Sequence, residues 1–255
     1  MIIIYTDDSG VGVEFNLNHK EFSDIISIYF CTNLEKDKCV SMLSNEEKKT
    51  FKTLKYEKRI NSFMQSKISS KKAVGSLIEY YDYKSIEIKN GVFSQPYIVC
   101  DKSNNVNITI SHCDKLGVAV AFSEKNCVGI DVEEIDEKNI EAITSQCTEK
   151  EIEFINSTFN KKEIGLTVIW CSKEALSKII KTGLTLSLEI LELDNIKVVD
   201  NYIISQYKNF HQYKCISWRF QDVICSLVLP KELLNANFIR EFQKFLEESK
   251  NFLIF

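Results

Sequence analysis

Two stretches of the chain open in the same way, and this limits the fold more than any other feature. Ser44-Asn45-Glu46-Glu47 and Thr148-Glu149-Lys150-Glu151 each put a hydroxyl residue at a helix N-cap and a glutamate three positions on. In such a capping box, the two side chains satisfy backbone N–H groups that the first helical turn leaves without partners. Helical patterns follow each box, to about residue 56 and over 57–81 in one case, and over 149–157 and 163–181 in the other. Gly183 stands where a helix C-terminal glycine belongs. Strand patterns come next. In the first half they cover 86–88 and 97–100 around Asn90-Gly91, then 106–111 and 117–122; in the second they cover 188–193, 202–206, 215–220 and 223–229. An amphipathic helix over 232–247 closes the pattern. An offset of 106 lays Ser66-Lys67 on Ser172-Lys173 and Ile110-Ser111 on Ile216-Ser217. The repeated order predicts an α+β fold built as a pseudo-twofold duplication, with halves at 1–124 and 125–255.

Composition narrows the function classes. No apolar run approaches the roughly 20 residues of a membrane span, so no membrane role is expected. The opening Met1-Ile2-Ile3-Ile4-Tyr5 lacks a basic leader and runs into Asp7-Asp8, which suggests a cytoplasmic chain. The nine cysteines form no CxxC pair, so neither a zinc knuckle nor a secreted disulfide framework is supported. A net charge of −4 gives no reason to expect nucleic acid as a partner. Between Lys48 and Lys72 nine basic residues crowd one segment. They suit either an anionic ligand or a solvated helix face, and charge pattern alone favours the second.

One segment breaks the ordinary strand pattern. In Val128-Gly129-Ile130-Asp131-Val132-Glu133-Glu134 the valines and isoleucine alternate with Asp131 and Glu133, so both acids share one face of a strand. Downstream, Trp170, Glu174, Ser177 and Lys178 fall on neighbouring positions of one helix face. Carboxylates among apolar runs are costly unless something compensates them. A hard divalent cation held by Asp131, Glu133 and Glu174 would do so, and Mg²⁺ is the natural choice, with Mn²⁺ as the alternative. Lys178 beside such a cation suits a pyrophosphate. Taken alone, Glu174 and Lys178 would read as an i,i+4 surface pair; the paired strand acids argue otherwise. Ser111 and His112, at the end of a strand, are either a plain hairpin tip or phosphate ligands. Their adjacency excludes a Ser-His nucleophile pair, because they face opposite sides.

The segment Gly129-Ile130-Asp131-Val132-Glu133, followed by Trp170-Cys171-Ser172-Lys173-Glu174-Ala175-Leu176-Ser177-Lys178, resembles the paired signature of the 4′-phosphopantetheinyl transferases. With two fused halves, the chain is similar to the surfactin-synthetase-activating (Sfp) type. Asn107 to His112 resembles the family's Ser-His segment, Ser94-Gln95-Pro96-Tyr97-Ile98 its Lys-Pro loop, and the region from Leu43 to Lys72 its basic helices.

That resemblance implies a 4′-phosphopantetheinyl transferase fold and transfer of the phosphopantetheine arm of coenzyme A to a serine of an apo carrier protein, releasing 3′,5′-ADP. It implies that Asp131, Glu133 and Glu174 hold the metal against the pyrophosphate, which Lys178 also binds. Ser111, His112, Lys58 or Arg59, with Lys48 or Lys49, would take the 3′-phosphate, and the Gln95-Pro96 loop would border the adenine. Glu174 is the candidate base, with Glu149 the second candidate. Fused halves make a monomer the simpler expectation, with the site drawn from both halves. One departure stands out: Gln95 replaces the family's lysine and removes a charge. Two other readings stay open, a catalytically silent carrier-binding homologue and another Mg²⁺-dependent nucleotide pyrophosphate enzyme.

Overall fold

The computed structural model describes residues 2–16, 25–92, 94–181 and 187–249. The chain divides into two compact units, Met1–Asn126 with Asn235–Phe255, and Cys127–Leu234. Gly183 lies outside the described residues.

The first unit begins with a three-stranded meander, β1 (Ile2–Asp7), β2 (Gly10–Asn16) and β3 (Ile25–Cys31). Three helices follow, α1 (Lys36–Met42), α2 (Asn45–Thr53) and α3 (Glu57–Leu77), then strands β4 (Glu87–Asn90), β5 (Pro96–Val99), β6 (Val106–His112) and β7 (Gly117–Ser123). The main sheet runs β1-β2-β3-β7-β6, antiparallel throughout, and β4 and β5 form a separate hairpin. Every residue of β7 is buried, as expected for an inner strand. Helix α3 lays Met64, Ile68, Ala73, Val74 and Leu77 into the core with Tyr29, Ile108 and Ala119 of the sheet.

The second unit starts with β8 (Gly129–Glu134), followed by α4 (Ile140–Thr144), α5 (Glu149–Thr158) and α6 (Lys162–Ile180). Strands β9 (Leu193–Val199), β10 (Tyr202–Tyr207), β11 (Tyr213–Phe220) and β12 (Val223–Pro230) complete an antiparallel sheet in the order β8-β12-β11-β10-β9. The fold is therefore α+β, with helices packed on antiparallel sheets. Among the described residues no helix is long and apolar enough to cross a membrane.

Both capping boxes form, and each extends into the same buried device. Glu47 Oε2 accepts the Ser44 N–H and the Lys71 ammonium, while its Oε1 accepts the Ile88 N–H at 3.1 Å. Glu151 Oε2 accepts the Thr148 N–H and the Lys173 ammonium, while its Oε1 accepts the Leu193 N–H at 2.9 Å. One carboxylate thus ties a helix start, a long helix and a following strand. The matching lysine in the first unit is Lys71, so Ser70-Lys71 corresponds in role to Ser172-Lys173, and the expected Ser66-Lys67 match is corrected by one turn. Residues four apart share a helix face, so the spacing of a dipeptide could not separate the two registers.

Three further differences from the expected elements have local causes. The segment 188–193 is a 3₁₀ turn over Leu188–Leu191, with strand β9 starting at Leu193. Leu188 and Leu191, three apart, stack on one side of such a turn and are both buried. Helices α1 and α4 were not anticipated; Glu35 at the N-cap of α1 makes no side-chain cap bond, so no capping signature marked that helix. Helix α7 (Ala236–Ser249) starts where Asn235 Oδ1 accepts the N–H groups of Asn237 and Phe238, four residues later than expected. It belongs with the first unit instead of the expected 125–255, because Phe238, Phe242 and Phe245 pack on Phe15, and Phe245 stacks on Phe30.

Candidate functional site

Strand β8 lies at one edge of its sheet, paired on the other side with β12, where Asp131 stands opposite Ser226. Helix α6 crosses its face. Gly129 permits that approach, since a Cβ there would overlap the Ala175 carbonyl oxygen. A buried hydroxyl cluster locks the helix to the sheet behind the strand: Ser172 Oγ lies 3.0 Å from Ser217 Oγ, which lies 2.8 Å from Ser226 Oγ. Tyr207 adds its hydroxyl to the Ser172 carbonyl at 2.6 Å. With helix and strand so fixed, Glu174 is held beside the two strand acids.

Asp131, Glu133 and Glu174 each offer one carboxylate oxygen, and these oxygens lie within 4.8 Å of one another. Asp131 is buried and the two glutamates are half-buried. Lys178 reaches across to the strand, donating to the Ile130 carbonyl and to Asp131 Oδ1, both at 2.8 Å. The lysine therefore serves the acid cluster, in keeping with a charged site and not a solvated surface pair. Trp170, one turn before Glu174, donates its indole N–H to Glu133 Oε1 at 3.3 Å.

The electrostatics follow from crowding. Burial, then repulsion from Asp131 and Glu174, pushes the Glu133 carboxyl up to about 7, against the Trp170 hydrogen bond and Lys178. Burial, then Asp131, raises Glu174 as well, with Lys178 opposing. Like charges held this close in a desolvated pocket call for a proton or a cation. Three convergent hard oxygen donors fit a divalent cation of the Mg²⁺ type.

A cavity of ≈ 590 Å³ opens from Glu133, with Trp170, Ile143 and Leu188 among its walls and Glu134, Asp136, Ser145 and Gln146 also lining it. In the first unit, a separate cavity of ≈ 640 Å³ is lined by Arg59, Ser66, Lys67, Lys89, Tyr97 and His112 among others. Of the anticipated first-unit residues, Arg59 and His112 thus share one cavity. Lys58 pairs instead with Asp114 at 2.9 Å, and Ser111 is half-buried next to His112. The Gln95 side chain folds against Gly91, and Pro96 opens β5 opposite Asn90. Glu149 is exposed in the first turn of α5. Lys67 belongs to the basic segment and Tyr97 to the loop around Pro96, whereas Lys89 falls in neither motif; its pairing with Tyr97 across the β4–β5 hairpin is what brings it to this cavity.

No curated protein matches the chain. Residues 127–229, which hold Asp131, Glu133, Glu174 and Lys178, match the family model of the 4′-phosphopantetheinyl transferase superfamily.

Proposed function

We propose that the protein is a 4′-phosphopantetheinyl transferase of the surfactin-synthetase-activating type, which moves the phosphopantetheine arm of coenzyme A to a serine of an apo acyl or peptidyl carrier protein. The observation that carries this reading is the convergence of three carboxylate oxygens with Lys178 inside the segment matched by the family model. Mg²⁺, when bound by Asp131, Glu133 and Glu174, would offset the charge of the donor's pyrophosphate. Lys178 adds a positive charge at the same place and orients Asp131. In the reaction, the carrier's serine oxygen bonds to the β-phosphorus, the bond from that phosphorus to the oxygen bridging to the 3′,5′-ADP portion breaks, and 3′,5′-ADP leaves with the electron pair. Glu174 takes the serine proton, with Glu149 as the second candidate.

The proposed nucleotide contacts lie in the first unit: Ser111, His112, Lys58 and Arg59 for the 3′-phosphate, and Gln95 and Pro96 beside the adenine. Lys89 lines the same cavity as Arg59 and His112, and offers the positive charge that Gln95 does not. Nine free thiols suit a reducing compartment such as the cytoplasm. A monomer is the proposed state.

The test is to incubate the protein with coenzyme A, Mg²⁺ and several apo carriers and to weigh the carriers by mass spectrometry. A carrier that gains phosphopantetheine supports the reading. Cleavage of coenzyme A without gain would favour a hydrolytic pyrophosphate enzyme, and neither event would favour a catalytically silent carrier-binding protein.

A further inference from the structure

The cavity that opens from Glu133 is more than the metal ligands need. It joins the candidate metal centre through Glu133 and is walled on the apolar side by Trp170, Ile143, Ala142 and Leu188. Its polar lining includes Ser145, Gln146 and Thr167. A chain that leaves a metal-bound phosphate and alternates methylenes with neutral amides matches such a lining, since apolar walls take the methylenes and scattered polar groups meet the amides. The charge of the cavity is one-sided. Glu134 and Asp136 line it beside Glu133, and no lysine, arginine or histidine is among the described residues that line it. Asp136 is held in place by the Lys138 N–H, which its Oδ1 accepts at 2.9 Å. Behind Gln146 the ammonium of Lys173 is buried and committed to Glu151 and the Gln146 carbonyl, and on the metal-site side Lys178 is committed to Asp131 and the Ile130 carbonyl.

We infer that this cavity receives the thiol end of the donor and selects by charge, admitting a free thiol or an uncharged acyl group and disfavouring a carboxylated one. The inference rests on the transferase reading above and goes on to name the donor class. Once a cation neutralises Glu133, Glu134 and Asp136 remain as the selecting charges. A carboxylate brought among them in a partly desolvated space meets repulsion that an uncharged methyl end does not.

Butyryl- and succinyl-coenzyme A make the comparison, because their acyl groups have the same number of carbons and differ in the terminal carboxylate. Binding of each is measured by calorimetry with Mg²⁺ and no carrier, and transfer is measured as kcat/KM with an apo carrier that accepts phosphopantetheine. The expected result is that butyryl is favoured over succinyl by about tenfold or more in both measurements, the effect of placing one like charge near two others. In a Glu134→Gln, Asp136→Asn double variant that keeps its melting temperature, this ratio should fall several-fold. Equal binding and transfer of the two donors by the unaltered protein would overturn the inference while leaving the transferase reading intact. An unchanged ratio in the double variant would overturn the assignment to these two residues. Discrimination in binding with no transfer to any carrier would support the cavity's selectivity and sink the transferase reading. Absence of both binding and transfer would overturn the two together.

Discussion

Glu133 is pulled in opposite directions by its neighbours. Burial, Asp131 and Glu174 favour its protonated form, while the indole N–H of Trp170 and the ammonium of Lys178 favour its charge. The sign of the pH dependence follows. A carboxyl whose pKa is about 7 in the folded state and near its ordinary 4.5 in the unfolded chain stabilises the fold fully below pH 4.5, and that contribution is lost as pH rises through 7. The metal-free protein should therefore melt at a lower temperature at pH 8 than at pH 5.5, and Mg²⁺ should reverse the loss at pH 8. Melting curves at both pH values with and without Mg²⁺ check this; a metal-free melting temperature that rises with pH would count against it. Substituting Asp131→Asn or Glu174→Gln removes a ligand and relieves repulsion together. Glu174→Gln should keep or gain thermal stability without metal, whereas Asp131→Asn also takes away the buried carboxylate that pairs with Lys178 and should not gain; both should lose the Mg²⁺-dependent rise and lose phosphopantetheine transfer by about a hundredfold. Retained transfer in either would remove that residue from the site. Asp7 shows the converse sign. Burial works to raise it, but hydrogen bonds from Lys72, Tyr29 and Ser9 outweigh burial and hold it at about 2, so its contribution is present above its ordinary pKa of 3.8 and lost as pH falls through 2.

At the level of elements, the paired capping-box devices explain why two helices start where they do. Each carboxylate makes a helix cap, an ion pair with a buried lysine and a bond to a strand N–H. Removing one partner of such a pair leaves the other charge buried and uncompensated. Glu47→Ala and Glu151→Ala should each destabilise by about 3–5 kcal/mol in urea unfolding, and a Glu151→Ala, Lys173→Met double variant should recover part of that loss. The boxes themselves were legible in the sequence, since hydroxyl and glutamate sit at fixed spacing. Their lysine partners were not, because Lys67 and Lys71 lie on one helix face and both approach Glu47, at 3.7 and 2.7 Å, so only the structure shows Lys71 as the closer partner. The acids of β8 and Glu174 were legible for a similar reason: period-two and i,i+4 patterns fix which residues share a face. The depth of the cavity beside Glu133 was not, since α4 and the 3₁₀ turn that shape it lack a sequence signature. Helix α7 carries an apolar stripe that promises a partner without naming it.

For the whole molecule, the division into two units separates two kinds of stability. The four side chains of the candidate metal centre all belong to Cys127–Leu234, whereas α7 returns the chain to the unit that contains Met1–Asn126. Phe242 is fully buried and packs on Phe15 and Phe245. Its replacement by alanine leaves a cavity in the first unit and should cost about 3–5 kcal/mol there. Mg²⁺, by contrast, stabilises only what binds it, by about 2.7 kcal/mol at a concentration one hundred times its Kd. Hydrogen exchange read by mass spectrometry separates the effects. Phe242→Ala should speed exchange in β1, β2, β3 and α7, while Mg²⁺ should slow exchange in β8, β12 and α6. If Mg²⁺ instead protects α7 and the β1–β3 meander as strongly as β8, the separate stability of the two units is overturned.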